Sequence, residues 1–193
     1  MMTPEGRMTE LSTARPWLII VDMQPAFGHP DSPWCTPGLD ATADRIDLIR
    51  PLFGSRVVFT RFVPPVTQPG SWAPYYAKWP FALEERHDWL WALLPRWQER
   101  PSIASHQFSK WNTEMQNKLG PNPSVYICGV STDCCVLGTA LGAVDDGAHV
   151  RVITDACAAK NPEIQDRALG LLAARSPQLE FCTTSNLLVD GVI

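Results

Sequence analysis

The chain has 193 residues, of which 45% are hydrophobic and 19% are charged, and its formal net charge is −4. This composition indicates one globular domain of ordinary size and excludes a disordered chain. The acidic balance without any Lys/Arg cluster argues against a nucleic-acid partner, and the longest apolar run, Trp17 to Val21, is too short to cross a membrane. Residues 1–16 are polar and are predicted to form a flexible arm. They lack the apolar segment of a secretory signal, so we expect a cytoplasmic protein.

The first third of the chain after this arm predicts two strands and a helix. WLIIVD, from Trp17 to Asp22, is a continuous apolar run that ends in an acid, which is typical of a strand buried on both faces. Apolar residues recur at helical spacing from Leu39 to Phe53, and Arg56 to Phe62 reads as a second buried strand.

Residues 63–100 contain five of the eight tryptophans and several prolines, without a clear period. A segment of this length with no regular pattern is often a lid or a binding insertion. A packed excursion or a subunit interface is the other interpretation, and the sequence leaves both open.

The second half of the chain alternates strands and helices. Its predicted strands are Pro101 to Phe108, Ser124 to Val130, His149 to Ala156 and Leu179 to Thr184, and its predicted helices are Thr113 to Leu119, a helix after Val130 that ends at Gly147, and Pro162 to Ala174. This alternation predicts a single α/β domain over residues 17–193, a three-layer α/β/α sandwich with a mainly parallel central sheet. In such folds the ligand lies at the carboxyl ends of the strands.

Cys135 lies in the first turn of the helix that follows the strand ending at Val130. Unpaired N–H groups and the positive end of the helix dipole favour a thiolate there and can hold an oxyanion. A buried structural cysteine is the alternative. Asp22 ends the first strand at the same edge of the sheet, where it is either a cap for a turn or a carboxylate that exchanges a proton with the thiol.

Two segments together carry a family resemblance. IIVDMQPAF contains an Asp followed two residues later by Gln and then by Phe, and GVSTDCCVLGTALGAVDDGAHVRVITDACAA contains Gly-x-x-Thr-x-x-Cys-Val. In this order and separation they resemble the isochorismatase-like cysteine hydrolases. The resemblance extends from Trp17 to about residue 185, thins through residues 63–100, and implies that family's Rossmann-like topology.

The resemblance assigns roles position by position. Cys135 aligns with the nucleophile and Asp22 with the general acid/base. The Val130–Ser131 bond falls where the family has a non-proline cis peptide, which would turn the amides of Ser131 and Cys135 toward an oxyanion. Relatives line the substrate pocket at three further positions, which here are Gln24, Phe27 and Trp111.

One position departs from the family pattern. The catalytic lysine of the family aligns with Ser105, and serine cannot supply a positive charge beside Asp22. Lys110 and His106 are the nearby substitutes, and Lys110 is expected to point to solvent. Cys134 is expected to point away from the site, and because neighbouring cysteines on a helix diverge, a redox role for the pair is disfavoured.

No metal ligand set and no cofactor are expected. Nicotinamidases of this superfamily have an Asp-x-His pair after the second strand, whereas Thr60 is followed here by Arg-Phe-Val-Pro-Pro. The cysteines lack the spacing of a zinc site.

The resemblance therefore implies hydrolysis of a small amide or ureido-like C–N substrate through a thioester on Cys135, with Asp22 as acid/base. Two alternatives stay open. The chain could be a catalytically impaired binding or regulatory member of the fold, because Ser105 replaces the lysine, or an isochorismatase-type vinyl-ether hydrolase. A small molecule is the expected partner, and a homo-oligomer is expected because assembly is common in this superfamily.

Overall fold

The computed structural model describes residues 15–192, so most of the arm predicted at residues 1–16 lies outside the described residues. Among these described residues, six parallel strands form one sheet in the order β3-β2-β1-β4-β5-β6. They are β1 (Trp17–Val21), β2 (Val57–Phe62), β3 (Ser102–Ser105), β4 (Ser124–Val130), β5 (His149–Ala158) and β6 (Leu179–Cys182). The order reverses between β1 and β4, and in open parallel sheets the ligand crevice forms at that reversal.

In the described part of the chain, six α-helices connect or follow the strands: α1 (Leu39–Ile49), α2 (Trp72–Lys78), α3 (Thr113–Leu119), α4 (Leu137–Asp145), α5 (Pro162–Ala173) and α6 (Thr184–Asp190). Helix α1 packs on β4, β5 and α6, whereas α4 packs on β5 and α5. The predicted α/β fold with a parallel central sheet is confirmed. Within residues 15–192, no helix combines the length and the apolar character needed to cross a membrane.

The end of the chain differs from the prediction. The last strand ends at Cys182, and α6 follows at once where only a variable tail was expected. The side chains of Thr183 and Asn186 form a reciprocal capping box at the start of this helix. Such a box satisfies backbone N–H groups that the first turn of a helix leaves without partners.

The register of the two central strands brings their carboxyl ends together. Val21 lies opposite Gly129, so Asp22 and the Val130–Ser131 peptide leave the sheet side by side. Gly129 has a φ of +115°, and a Cβ at this position would lie 2.1 Å from the carbonyl oxygen of Val21. Only glycine allows the two strands to approach this closely at the point where both end.

Residues 63–100 contain more regular structure than their sequence predicts. Besides α2, they form three short 3₁₀ helices, Pro80–Leu83, Glu85–Trp91 and Pro95–Trp97. Trp91 and Trp97 are buried in the core. The N–H of Leu94 also donates to the carbonyl of Met23, which ties the segment to the loop after β1. This segment is therefore a packed part of the domain.

Candidate active site

Asp22 is fully buried directly after β1, with a φ of +49°, a left-handed conformation that is uncommon for a residue other than glycine. Its Oδ1 accepts a hydrogen bond from the hydroxyl of Thr60 at 2.7 Å, and its N–H donates to the same hydroxyl oxygen at 3.2 Å. Thr60 thereby fixes the orientation of the carboxylate. Asp22 Oδ2 accepts no hydrogen bond of good geometry from the described part of the chain.

Lys110 supplies the positive charge at this site. It is fully buried, and its Nζ lies 3.1 Å from Asp22 Oδ2. The ammonium donates to the carbonyl of Gln107 at 2.6 Å and lies 4.9 Å from the centre of the Phe62 ring. The expectation that Lys110 points to solvent was wrong. A buried lysine is held in place by its partners, because an unpaired charge would be costly to bury.

The buried position of Lys110 is explained by the close approach of its loop, which connects β3 to α3, to helix α4. The N–H of Lys110 donates to the hydroxyl of Thr139 at 2.9 Å. A Cβ at Gly138 would lie 3.3 Å from Ser109 N, and one at Gly142 would lie 3.1 Å from Trp111 Cβ. These two glycines leave room for the loop to lie directly on the helix, which directs the Lys110 side chain inward.

Neither Ser105 nor His106 takes the place of the lysine. Ser105 ends β3 opposite Phe62, so β2 separates it from β1, and its hydroxyl accepts the N–H of Gln107 at 3.1 Å. The ring of His106 lies 5.9 Å from the ring of Trp72. The alignment that placed the lysine function at Ser105 was therefore misleading, because the charge beside Asp22 comes from five residues further along.

Cys135 lies just inside the helix that follows β4. The first turn of this helix, Thr132–Val136, is π-helical, since the N–H of Val136 donates to the carbonyl of Ser131 at 3.1 Å, and α4 continues from it. Cys135 is 3% exposed. A hydrogen bond with Cys134, burial and the nearby Asp22 carboxylate raise the pKa of the Cys135 thiol, whereas Lys110 lowers it.

Cys134 lies close to the same groups. It is half-buried, and the hydrogen bond from Cys135 lowers the pKa of the Cys134 thiol. Lys110 and Asp22 also act on this pKa, in opposite directions. The expectation that Cys134 points away from the site was wrong, because both thiols face one cavity.

This cavity has a volume of about 220 Å³ and opens over the two thiols. Most of its wall is aromatic, and the polar groups among its lining residues are a few hydroxyls, the thiols, Asp133 and Lys160. Asp133 and Lys160 are exposed. The aromatic lining residues are Phe27, Trp34, Phe62, Tyr75, Trp79 and Phe108. Such a concave, mostly apolar site with few polar groups is typical of small-molecule binding.

Trp34 is the centre of this aromatic wall. Its ring contacts those of Phe62, Tyr75 and Trp79 at centroid distances of 5.7, 5.8 and 6.3 Å. Tyr75 is half-buried, and burial, with smaller contributions from Cys134, Tyr76 and Cys135, raises the pKa of its hydroxyl well above the ordinary value. The Tyr75 hydroxyl is therefore a neutral hydrogen-bond donor near the thiols.

Ser131 and Cys135, whose amides are predicted to face an oxyanion, both line the cavity, whereas Val130 is fully buried and does not. The Val130–Ser131 peptide bond is cis. The hydroxyl of Ser131 shares a hydrogen bond of 2.9 Å with the hydroxyl of Thr36, another lining residue.

Of the three residues predicted to line the substrate pocket, only Phe27 does so. Gln24 is fully buried, and its side-chain amide forms two hydrogen bonds with the backbone of Phe62. Gln24 Oε1 accepts from the Phe62 N–H at 2.7 Å, and Gln24 Nε2 donates to the Phe62 carbonyl at 2.9 Å. Its Nε2 also donates to the carbonyl of Trp91, so Gln24 joins β1 to the 63–100 segment. Trp111 does not line the cavity. It packs against α4 at Gly142, and its indole N–H donates to Asp146.

Sequence reasoning missed most of the cavity wall. Trp34, Cys35 and Thr36 come from the Pro-rich loop after β1, and Tyr75 and Trp79 come from residues 63–100. The tryptophan content of residues 63–100 was the available signal, but it could not say which rings face the thiols.

Comparison with known proteins places the chain in one family. Residues 16–185 match the family model of the isochorismatase domain. The chain is 34% identical over 89 residues to isochorismatase domain-containing protein 2 of Xenopus laevis, a match that covers 45% of this chain and 40% of that protein. The protein of the same description from Bos taurus is 35% identical over 81 residues, covering 40% of this chain and 39% of the relative. The match thus spans about two fifths of these relatives.

Solved structures share the fold. A cysteine hydrolase from Pseudomonas syringae pv. phaseolicola superposes with a TM-score of 0.71 at 21% identity, covering 90% of this chain and 91% of that one. An isochorismatase-like hydrolase from Alkaliphilus metalliredigens gives a TM-score of 0.69 at 19% identity, covering 91% and 98%. At these identities the likeness concerns the fold alone.

One structural relative contains a metal. The pyrazinamidase of Pyrococcus horikoshii, solved in complex with zinc, gives a TM-score of 0.61 at 23% identity, covering 88% of this chain and 99% of that one. Within residues 15–192 of the present chain, no three His, Cys, Asp or Glu side chains lie close enough together to hold a metal ion. The residues present therefore do not fit such a zinc site.

Proposed function

The chain belongs to the isochorismatase family of hydrolases, and from this premise we propose that it hydrolyses a small amide or ureido-like C–N bond through a thioester on Cys135. The observation that carries the proposal is the position of the Cys135 thiol, which lines the aromatic cavity and interacts electrostatically with the buried Asp22–Lys110 pair. A thiol nucleophile and a proton acceptor are the groups that thioester chemistry requires, and a fixed positive charge nearby stabilises the negative charge that develops.

Asp22 accepts the thiol proton in the first step. Its Oδ1 is occupied by Thr60, whereas its Oδ2 has capacity for a proton. The raised pKa of Cys135 means that the resting nucleophile is a thiol, so it needs a base at the moment of attack. Lys110, with its Nζ 3.1 Å from Asp22 Oδ2, supplies the counter-charge that a buried carboxylate needs.

The start of the helix stabilises the tetrahedral intermediate. Attack of the sulfur on the carbonyl carbon places a negative charge on the substrate oxygen near the first turn of the helix, where the amides of Ser131 and Cys135 lie. Backbone N–H groups at a helix start are suited to this charge because few of them have partners within the helix.

Asp22 returns its proton to the leaving nitrogen as the C–N bond breaks, which leaves an acyl group on Cys135. Water then attacks the thioester, Asp22 accepts a proton from it, and the departing Cys135 sulfur regains a proton as the acid is released. Each proton taken by the carboxylate is returned within one cycle.

The aromatic wall of the cavity favours substrates that carry a flat or apolar substituent. Six aromatic side chains face a volume of about 220 Å³. The two charged lining residues, Asp133 and Lys160, are exposed, so the inner wall carries no charge to match a charged substituent. We therefore expect uncharged amides with aromatic or branched apolar groups to be preferred over small polar ones.

The alternative of a catalytically impaired binding protein depended on the loss of the family lysine at Ser105. The ion pair between Lys110 and Asp22 removes that reason. Vinyl-ether hydrolysis stays an outcome of the test below, because it requires no thiol.

The test is turnover of a panel of aromatic, aliphatic and ureido amides, measured as release of ammonia or amine. Wild type is compared with Cys135→Ser and with Cys182→Ser, which alters a half-buried thiol in β6 that does not line the cavity. We expect wild type and Cys182→Ser to hydrolyse the same amides, and Cys135→Ser to lose at least about 10³-fold in kcat.

Full activity in Cys135→Ser would contradict the proposal, and turnover of a vinyl ether by that variant would assign the alternative reaction. Absence of turnover of every amide by a folded wild-type protein would contradict it as well.

A further inference from the structure

We propose that the adjacent thiols of Cys134 and Cys135 are a peroxide-sensitive pair, which hydrogen peroxide or a small organic hydroperoxide converts to a reducible disulfide. This modification goes beyond the proposed hydrolysis, since it concerns the chemistry of the two sulfur atoms with an oxidant. Because Cys135 is the proposed nucleophile, the disulfide would block hydrolysis until it is reduced.

The first observation is that both thiols belong to one site. Cys134 and Cys135 are adjacent in the chain and line the same cavity, and each thiol shifts the pKa of the other. The π-helical first turn explains this geometry. Its i to i+5 spacing, seen between Ser131 and Val136, rotates successive side chains by less than an α-helix does, so neighbouring residues diverge less.

The second observation is that the two thiols differ in solvent exposure and in the direction of their pKa shifts. Cys134 is half-buried and reaches the cavity surface, and its hydrogen bond from Cys135 stabilises the thiolate, the form that reacts with peroxides. Cys135 is only 3% exposed, and its raised pKa favours the thiol form. A solvent-accessible thiol of lowered pKa beside a second thiol is the arrangement of a redox-sensitive pair.

The reaction balances in two steps. The Cys134 thiolate attacks the O–O bond of hydrogen peroxide, one oxygen becomes the hydroxyl of a sulfenic acid, and the other leaves as hydroxide, which takes up the thiolate's former proton as water. The Cys135 sulfur then attacks the sulfur of the sulfenic acid, loses its proton, and displaces the hydroxyl, which leaves as a second water. Two thiols are oxidised by two electrons, and one peroxide is reduced to two waters.

The disulfide is expected to be easily reduced. Consecutive Cα atoms are about 3.8 Å apart, whereas the Cα atoms of ordinary disulfides are separated by about 4.4–6.8 Å. Closing a ring between adjacent residues therefore requires the first helical turn to rearrange, and a disulfide under such constraint is a labile one. A monothiol or dithiol reductant restores both thiols by exchange.

The remaining cysteines provide internal controls. Burial raises the pKa of Cys157 to about 12 and of Cys182 to about 11, and Cys128 is fully buried with a raised pKa. These thiols are expected to react slowly with peroxide. Cys35 is half-buried and also lines the cavity, so the experiment must distinguish a bridge to Cys35 from the bridge within the pair.

The experiment treats the purified full chain with a small excess of hydrogen peroxide near neutral pH, blocks free thiols with iodoacetamide, and maps the peptides by mass spectrometry. In wild type we expect the peptide containing both residues to lose two hydrogen atoms and to take up no alkyl group. Dithiothreitol should restore two alkylatable thiols. Cys182→Ser should behave as wild type.

The single variants separate the roles of the two sulfurs. In Cys135→Ser, Cys134 should gain two or three oxygen atoms irreversibly, because no neighbour resolves the sulfenic acid. In Cys134→Ser, the loss of two hydrogen atoms within this peptide should disappear. Irreversible oxygen addition in wild type, or a bridge that joins Cys35 to either residue, would overturn the proposal. The mass readout needs no substrate, so its outcome is independent of whether amides are hydrolysed.

Discussion

The floor and the wall of the cavity are built in different ways. The floor, defined as Cys135 of the cavity lining together with the buried Asp22–Lys110 pair, which does not itself line the cavity, is fixed by strand ends, a helix start and an ion-pair distance of 3.1 Å. Three rings of the aromatic wall, Trp34, Tyr75 and Trp79, come from a loop and from residues 63–100, and they are held by ring contacts at about 5.8–6.3 Å.

The floor and the wall should differ in how strongly a single substitution changes the free energy of unfolding and the activity. Burying a charge is costly unless its partner is present, so removing one floor residue leaves an uncompensated charge and should have an abrupt effect. Ring contacts are individually small and shared among many neighbours, so removal of one wall residue should have a graded effect. Chemistry is therefore assigned to the floor, and selectivity to the wall.

Lys110→Met is expected to have the largest effect. It leaves Asp22 buried without its cation, which should lower the free energy of unfolding by about 3–5 kcal/mol. It should also reduce kcat by at least about 10²-fold, because the carboxylate that accepts the thiol proton loses its only ion-pair partner among the described residues. Denaturant unfolding and steady-state kinetics measure the two effects.

A double variant sharpens this prediction. Adding Asp22→Asn to Lys110→Met removes the unpaired charge, so stability should partly return while activity should not. Lys118→Met, on the exposed side of α3, is the matched control and should change neither quantity. A Lys110→Met protein with wild-type stability and turnover would show that the ion pair contributes nothing.

Trp34→Ala tests the wall. Loss of the ring contacts with Phe62, Tyr75 and Trp79 should cost about 3 kcal/mol of stability. The KM for an aromatic amide should rise about tenfold while kcat changes less. Trp89→Ala is the control, because this ring is 49% exposed and its loss should cost under about 1 kcal/mol. Equal effects of the two substitutions would contradict a central role for Trp34.

The pH dependence of thiol labelling compares a cavity residue with a distant one. Cys134 and Cys182 are both half-buried, but the hydrogen bond from Cys135 lowers the pKa of Cys134, whereas burial raises the pKa of Cys182 to about 11. At pH 7.5 iodoacetamide should modify Cys134 at least about tenfold faster.

From pH 7 to pH 9 the labelling rate of Cys182 should rise about tenfold per pH unit, since the thiolate fraction grows that way below the pKa. The rate of Cys134 should rise less over the same range. Cys135→Ala removes the hydrogen-bond donor and should reduce the advantage of Cys134. Identical pH profiles for the two thiols would rule out this electrostatic difference.

Tyr75→Phe should have the smallest effect. Burial keeps the Tyr75 hydroxyl protonated, so it can donate to a substrate, and its loss should raise KM about 3–10-fold without a change in stability. Tyr76→Phe is the matched control, because the buried Tyr76 hydroxyl has no hydrogen-bond partner among the described residues. That substitution should leave KM unchanged. An unchanged KM in Tyr75→Phe would place its hydroxyl outside the substrate site.

The sequence predicts those parts of the floor that depend on local pattern. Continuous apolar runs define β1 and β4, and parallel pairing brings their ends together, so Asp22 and the start of the helix at Cys135 could be expected at one edge. The roles assigned to these residues stay predictions until they are tested, as do the cytoplasmic location and the homo-oligomer.

Lys110 and the wall could not be predicted, for a physical reason. Lys110 reaches Asp22 because its loop lies on α4 at Gly138 and Gly142, which is a contact between distant parts of the chain. The wall residues follow no period, and their positions depend on ring packing. The direction of Cys134 depends on a π-helical turn, which no residue pattern in this segment indicates.

The most direct measurement of the central claim is rapid-quench peptide mass spectrometry during turnover of an amide that wild type hydrolyses. We predict an acyl adduct on Cys135 that forms and decays at rates compatible with kcat, is removed by hydroxylamine, and is absent in Cys135→Ser. An enzyme that turns over the amide while Cys135 stays unmodified, or that carries the adduct on Cys134 or Cys35, would contradict the account.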